Sequence, residues 1–201
     1  RYSPTGFIFD VKGSSAFPNK ENLFSILGLL SSKLTMMYIK VLNPTVTLQV
    51  GDISRIPFKK VEAQNKIQNL IHISQKDWDN YEISWNFSTL PFLSSVYHSG
   101  KLENTYNSLR SHWQGMTDEM LKLEEENNSI FIDAYGLQDE LTPDVPIHEI
   151  TLTCNPAYRY GQKVSKEDQE TRLRADTMKE FISYSVGCMF GRYALEEPGL
   201  I

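Results

Sequence analysis

The stretch ITLTCNPAYRYG, residues 150–161, holds the tightest grouping of residue types that could do chemistry. Asn155-Pro156-Ala157-Tyr158 brings a side-chain amide, a proline carbonyl and an aromatic ring within four residues. Such a set offers an amide, a carbonyl and a ring to a ligand. No glycine-rich cofactor loop precedes it, and its third residue is Ala157. The competing reading is structural: a strand over Ile147–Thr153 followed by a turn, with Tyr158 and Tyr160 packed on neighbours. His72, His98, His112 and His148 are scattered without metal-ligand spacing. Cys154 and Cys188 form neither a metal pattern nor a disulfide framework, so the expected setting is reduced and cytoplasmic. Neither a phosphate-binding Gly-Lys-Ser/Thr loop nor a nucleophile elbow occurs. The expectation is no catalytic residue, no metal and no cofactor within the segment itself.

A second group could bind rather than react. Lys12, Ser14, Ser15, Lys33, Lys40, Thr45, Gln49, Arg55, Lys59 and Lys60 are polar and basic residues of the first sixty. Lysine and arginine there could neutralise phosphates, while Gln49 and the hydroxyls could meet base edges. The chain of 201 residues carries a net charge of −5, which alone argues mildly against a polyanion. The charge is divided unevenly, however: +5 over residues 1–60, −10 over 61–150 and balance over 151–201. A basic head on an acidic extension suits a polyanion-binding module, although ordinary surface charge produces such asymmetry too.

The elements that must position these residues read as follows. Phe7, Phe9 and Val11 alternate as in a strand. Asn19 is a candidate N-cap for a helix whose apolar stripe is Leu23, Leu27, Leu30, Leu34, Met37 and Val41, ending by Asn43 before Pro44. Val46, Leu48 and Val50 alternate again, Gly51-Asp52 turns, and Ile53 to Phe58 continues extended. A second helix is predicted over about 60–76 with Ala63, Ile67, Leu70 and Ile71 inward. Residues 77–100 form an irregular loop pinned by Trp78, Tyr81, Trp85, Phe87 and Phe92. Tyr106, Leu109, Trp113, Met116, Met120, Leu123, Asn127, Ile130, Ala134 and Leu137 keep a 3-4 alternation, a coiled-coil-like seam with Asn127 as its polar interruption. That rod would measure roughly 45 Å and pack antiparallel to the second helix; the alternative is a long helix lying on a globular core. Glu124-Glu125-Glu126 reads as its solvated face. Ser165 and Asp168 open a last helix presenting Leu173, Thr177, Phe181, Tyr184 and Cys188, closing near Gly191.

The fold expected is α+β and predominantly helical: a small mixed α/β head over 1–60, a helical spacer over 61–140 and a strand–helix segment over 141–201. No run of 18 apolar residues and no charged leader occurs, so no membrane association is expected. The start at Arg1 and the close at Pro198-Gly-Leu-Ile201 suggest a piece of a longer protein.

LFSILGLLSSKLTMMYIKVLNPTVTLQVGDISRIPF, residues 23–58, resembles the closing half of the target-recognition domain in adenine-specific DNA methyltransferases with fused specificity regions. Ser31-Ser32-Lys33 stands where Asn-Ser-Lys is commoner. WDNYEISWNF at 78–87, NNSIFIDAYGLQDELTPDVPIHEITLTCNPAYRYG at 127–161 and ADTMKEFISYSVGCMFGRYALEEPGLI at 175–201 narrow the likeness. Together they resemble the large methyltransferase of bacteriophage-exclusion (BREX, phage-growth-limitation) systems. The resemblance implies a bacterial phage-defence enzyme that methylates adenine N6 with S-adenosylmethionine. Its Asn-Pro-Pro-Tyr motif, which Asn155–Tyr158 resembles, would grip an exocyclic amine and stack a base turned out of its duplex. That motif and the cofactor loop would lie upstream, in a separate catalytic domain. That order favours the structural reading of Asn155–Tyr158. The segment would then be a DNA-recognition and spacer portion, not catalytic alone, with DNA as its partner and the spacer open to other subunits of the defence complex. The alternative is a protein-interaction module of the same complex with no direct DNA contact.

Overall fold

The computed structural model describes residues 2–3, 6–8, 14–43, 45 and 49–199. Seven α-helices follow in order: α1 (Leu23–Leu30), α2 (Lys33–Leu42), α3 (Val50–Ser54), α4 (Gln64–Asp79), α5 (Leu102–Tyr135), α6 (Pro156–Tyr160) and α7 (Lys166–Met189). Short 3-10 turns occupy Pro91–Leu93 and Ile147–Glu149. No strand occurs among the described residues, whose regular structure is helical, so the expected α/β head is not supported there. The chain divides into two compact units, 1–71 with 122–145 and 72–121 with 146–201.

In the first unit the expected single helix breaks at Ser31-Ser32, and α1 and α2 meet at a 67° bend. Ser32 is extended and donates its hydroxyl to the Leu29 carbonyl at 2.7 Å; Thr35 does the same at 2.6 Å. Side-chain hydroxyls that take a backbone carbonyl compete with helix propagation. The break spoils the extrapolated stripe: Leu34 is buried, whereas Val41 is 78% exposed. Asn22, not Asn19, precedes α1. Gly51 and Asp52, expected in a turn between strands, lie inside α3, because Asp52 accepts the Gln49 backbone N–H at 2.9 Å and starts a helix. Residues 55–63 contain no regular element, so Ile53–Phe58 is not a strand. Phe9, Val11, Val46 and Leu48 lie outside the described residues.

The core of this unit gathers Leu29, Leu34, Ile56 and Phe131, with Tyr38, Val61 and Leu141 packed around them. Gly28 is the point of closest approach: a Cβ there would meet Ile67 Cδ1 at 2.8 Å, Asn127 Oδ1 at 2.9 Å and Phe131 Cε2 at 2.9 Å. Asn127 donates to the Gly28 carbonyl at 3.0 Å. Asn128 accepts the Lys33 backbone N–H at 2.9 Å, capping α2 from outside, and donates to the Pro143 carbonyl at 3.0 Å. The glutamates of 124–126 are half-buried rather than a free solvated face. Glu126 pairs with Lys66, and Glu125 accepts the Val145 N–H at 3.1 Å.

The second unit is built on the first twenty residues of α5, much of α4, and α7. The sequence seam holds from Tyr106 through Leu109, Trp113, Met116, Met120 and Leu123 to Asn127, all buried. Beyond it the buried residues are Asn128, Phe131 and Ile132, while Ile130 is only half-buried. A straight helix turns every 3.6 residues and drifts off a 3.5-residue seam by about 20° per heptad. At 34 residues, α5 is about 51 Å long. The second predicted helix starts four residues late, at Gln64, and buries Ile67, Ile73 and Asp77, with Leu70 and Ile71 half-covered. Of the loop aromatics, Phe87 and Phe92 are buried and Trp85 is 95% exposed. Phe87, Leu90, Tyr184 and Tyr193 form a cluster in which the two tyrosine rings stack at 4.5 Å. Helix α7 begins as the sequence indicates: Ser165 Oγ accepts the Asp168 N–H at 3.1 Å. It ends before Gly191 at φ 72°, the left-handed conformation that favours glycine.

Candidate nucleic-acid interface

The ten residues singled out for polyanion contact fall in the first unit, and the structure sorts them by what their polar atoms already do. Lys33 opens α2, and its Nζ donates to the Asp144 carbonyl. Lys59 Nζ donates to the Ala134 carbonyl at 2.6 Å, near the C-terminus of α5, where a cation complements the helix dipole. The Lys59 N–H meets Tyr135 Oη at 2.9 Å, and that hydroxyl donates to the Pro57 carbonyl at 2.6 Å. Both lysines thus tie chain segments together.

Lys40 in the last turn of α2, Arg55 at the end of α3 and Lys60 beyond it are exposed. Between Lys40 and Arg55 in the chain lies a polar knot. Asn43 Nδ2 donates to Asp52 Oδ2 at 2.7 Å, and Asn43 Oδ1 accepts Thr45 N–H at 3.0 Å and Thr45 Oγ1 at 2.5 Å. The Asn43 bond first, then the Gln49 N–H, holds the Asp52 carboxyl below its ordinary pKa, so it stays ionised and keeps α3 capped. Gln49 and Thr45 are exposed at this knot. Ser14 is half-buried and Ser15 exposed; Lys12 lies outside the described residues. The arrangement offers exposed cations on either side, in the chain, of two exposed hydrogen-bonding side chains.

Asn155 is placed differently. It is 2% exposed and N-caps α6: its Oδ1 accepts the Ala157 N–H at 3.1 Å, and its Nδ2 donates to the carbonyls of Ile147 at 2.7 Å and Ile150 at 2.9 Å. Both amide atoms are therefore engaged with backbone, and no amine could be held without breaking those bonds. The predicted strand before it is a 3-10 turn followed by irregular chain, which lets three backbone groups converge on one side chain. Tyr158 is 46% exposed, and Tyr160 Oη donates to Asp176 Oδ2 at 2.8 Å.

Two features escape a reading of the sequence. Asp77, 3% exposed, accepts the backbone N–H of Thr153 at 2.6 Å and of Cys154 at 3.0 Å. The available signal is an acid on the inward face of α4, one turn beyond Ile73. Arg159 reaches Glu180 at 3.0 Å and lies 5.9 Å from the Tyr81 ring centroid. Burial first, and Asp77 second, push the Cys154 thiol far above its ordinary pKa, so it stays protonated and unreactive. No cluster of three metal-ligating side chains occurs among the described residues. Nor is any single helix there long and apolar enough to cross a membrane; α1 and α2 approach that only as a bent pair.

No protein-family model matches the chain. Two curated proteins match it from end to end. The adenine-specific methyltransferase PglX of Lacticaseibacillus casei (strain Zhang) is 35% identical over 212 residues, and the adenine-specific methyltransferase BrxX of Escherichia coli O9:H4 (strain HS) is 34% identical over 205. The chain covers 16% and 17% of their respective lengths.

Proposed function

We propose that this chain, which belongs with the BREX-type adenine-specific methyltransferases as a segment about one sixth of their length, is a DNA-recognition and spacer portion. The first unit would meet DNA: Lys40, Arg55 and Lys60 would contact phosphates, and Thr45 and Gln49 would approach base edges. Helices α4 and α5 would form the spacer. Adenine-N6 methylation, S-adenosylmethionine binding, a cytoplasmic location and a role in phage defence belong in this reading to the whole protein.

The observation that carries it is the contrast between two sets of polar groups. Lys40, Arg55 and Lys60 are exposed cations: Lys40 stands three residues before Asn43 of the α2–α3 knot, Arg55 acts on its Asp52 carboxylate, and Lys60 follows five residues later in the chain. Asn155, the residue placed most like a methyltransferase amine-binding group in the sequence, has both amide atoms bound to backbone. This favours recognition over chemistry. The test is equilibrium DNA binding by the full-length methyltransferase carrying Lys40→Gln, Arg55→Gln and Lys60→Gln together. At physiological salt the affinity should fall at least about tenfold. An unchanged affinity would transfer the DNA contact elsewhere and leave the protein-interaction alternative.

A further inference from the structure

Tyr106 and Arg110 stand one turn apart on α5, and each holds a buried donor atom left over by the fold. Tyr106 is 7% exposed, and its Oη has no hydrogen-bond partner among the described residues; neither has Nη1 of Arg110. The rest of that guanidinium is used. Its Nε donates to Glu170 Oε2 at 2.8 Å, and its Nη2 donates to Glu170 Oε1 at 2.6 Å and Gln114 Oε1 at 2.8 Å. Buried polar atoms are nearly always paired, and an orphan donor carries its full desolvation penalty. Burial first and the Glu170 charge second raise the Tyr106 pKa, so at neutral pH the hydroxyl keeps its hydrogen to donate.

Tyr106 lines an open cleft of about 320 Å³ together with Glu167, Glu170, Thr171 and Arg174 of α7, all within the second unit. Those four recur at helical spacing and share one face of α7. Glu170 neutralises Arg110 by its two-pronged pair. Arg174 and Glu167 are exposed and form no ion pair among the described residues. The cleft therefore offers one free charge of each sign beside an orphan hydroxyl.

We propose that this cleft binds a small linear zwitterion, an ω-amino acid, with its carboxylate at Tyr106 Oη and Arg174 and its ammonium at Glu167. The exposed α7 side chains along the cleft turn to admit the ligand oxygen to the hydroxyl. Spacing and charge select this class. Seven residues of helix separate Glu167 from Arg174 by about 10 Å, so the ligand's two charges must lie several bonds apart. A phosphate dianion would face the Glu167 and Glu170 carboxylates with only one free cation to meet it. A cleft of this volume suits a small molecule, whereas a protein partner covers roughly 800 Å² on each side. The inference does not rest on the DNA contact, which lies in the first unit.

The experiment is saturation-transfer NMR on the full-length protein with 6-aminohexanoate as probe, against hexanoate and n-hexylamine. 6-Aminohexanoate should bind, and each single-charge analogue should bind at least about tenfold more weakly. Tyr106→Phe and Arg174→Gln should each weaken 6-aminohexanoate at least tenfold. Arg172→Gln, exposed on α7 outside the cleft, should leave it unchanged. Tyr106→Phe should keep or raise the urea midpoint, because it removes a hydroxyl that bonds nothing. No binding of 6-aminohexanoate overturns the proposal, as does binding that neither Tyr106→Phe nor Arg174→Gln weakens. Equal binding of n-hexylamine overturns it too, and so does a lowered midpoint in Tyr106→Phe, which would give the hydroxyl a partner inside the protein.

Discussion

Asp77 sits where the inward face of α4 calls for an apolar side chain, and its carboxylate accepts two backbone N–H groups from residues 76 and 77 positions away. Hydrogen bonds to a charged acceptor are among the stronger ones, and an abandoned buried donor loses its full solvation. Asp77→Ala should therefore destabilise the protein by about 3 kcal/mol, read as a lower urea midpoint at unchanged slope. Asp77→Asn keeps one acceptor oxygen and should cost less. Equal stability of Asp77→Ala and the parent would show that these donors find other partners. Asn155 makes the same point with a neutral group: a residue type suited to catalysis can be spent wholly on holding a turn.

Gly28 tests the packing between elements. Alanine would gain about 1 kcal/mol of helix propensity in α1. Its Cβ, however, would lie under 3.0 Å from Ile67, Asn127 and Phe131, and Phe131 is fully buried. Overpacking should prevail, leaving Gly28→Ala less stable by about 1–2 kcal/mol in chemical denaturation. A stabilised variant would show that the α1–α4–α5 junction has slack. The long helices are readable in the sequence because period and caps agree: α7 has its Ser165 cap, and α5 keeps its seam from Tyr106 to Asn127. The head misleads for local reasons. The Leu30–Leu34–Met37 spacing continues through Ser31-Ser32 as though the helix did, and only the hydroxyl bonds to Leu29 reveal the bend. The Val50-Gly51-Asp52 run looks like strand and turn until Asp52 caps its own helix across Gln49. Candidate site residues are legible as types but not as roles, since Lys33 and Lys59 spend their ammonium groups on carbonyls of residues 111 and 75 positions away.

Across the whole molecule, charge governs the pH response and is the ground of the proposed DNA contact. His112 lies 5.2 Å from the Tyr97 ring, and burial first, then Lys76, lowers its pKa from 6.5. The unfolded chain then takes up a proton that the folded one refuses, so stability should decline as pH falls below about 6.5 toward the folded pKa. His112→Gln should flatten the urea midpoint between pH 7.5 and 5.5 relative to the parent; identical pH profiles would contradict this. A further decline is expected below about pH 4. There Asp176, held low chiefly by Lys179, and Glu126, held low chiefly by Lys66, lose their charges. The +5 balance of residues 1–60 bears most directly on the DNA claim, although residues 122–145 bring the first unit to a net charge of −1, and salt dependence measures it. In the full-length protein, log affinity for DNA against log salt should become shallower by about 0.9 for each phosphate left without its cation, hence by about 2.7 for Lys40→Gln, Arg55→Gln and Lys60→Gln combined. Neutralising Lys163, Lys166 and Arg172 in the second unit should leave the slope as it was. Equal changes from both triple variants, or none from the first, would contradict the assignment of DNA contact to the first unit.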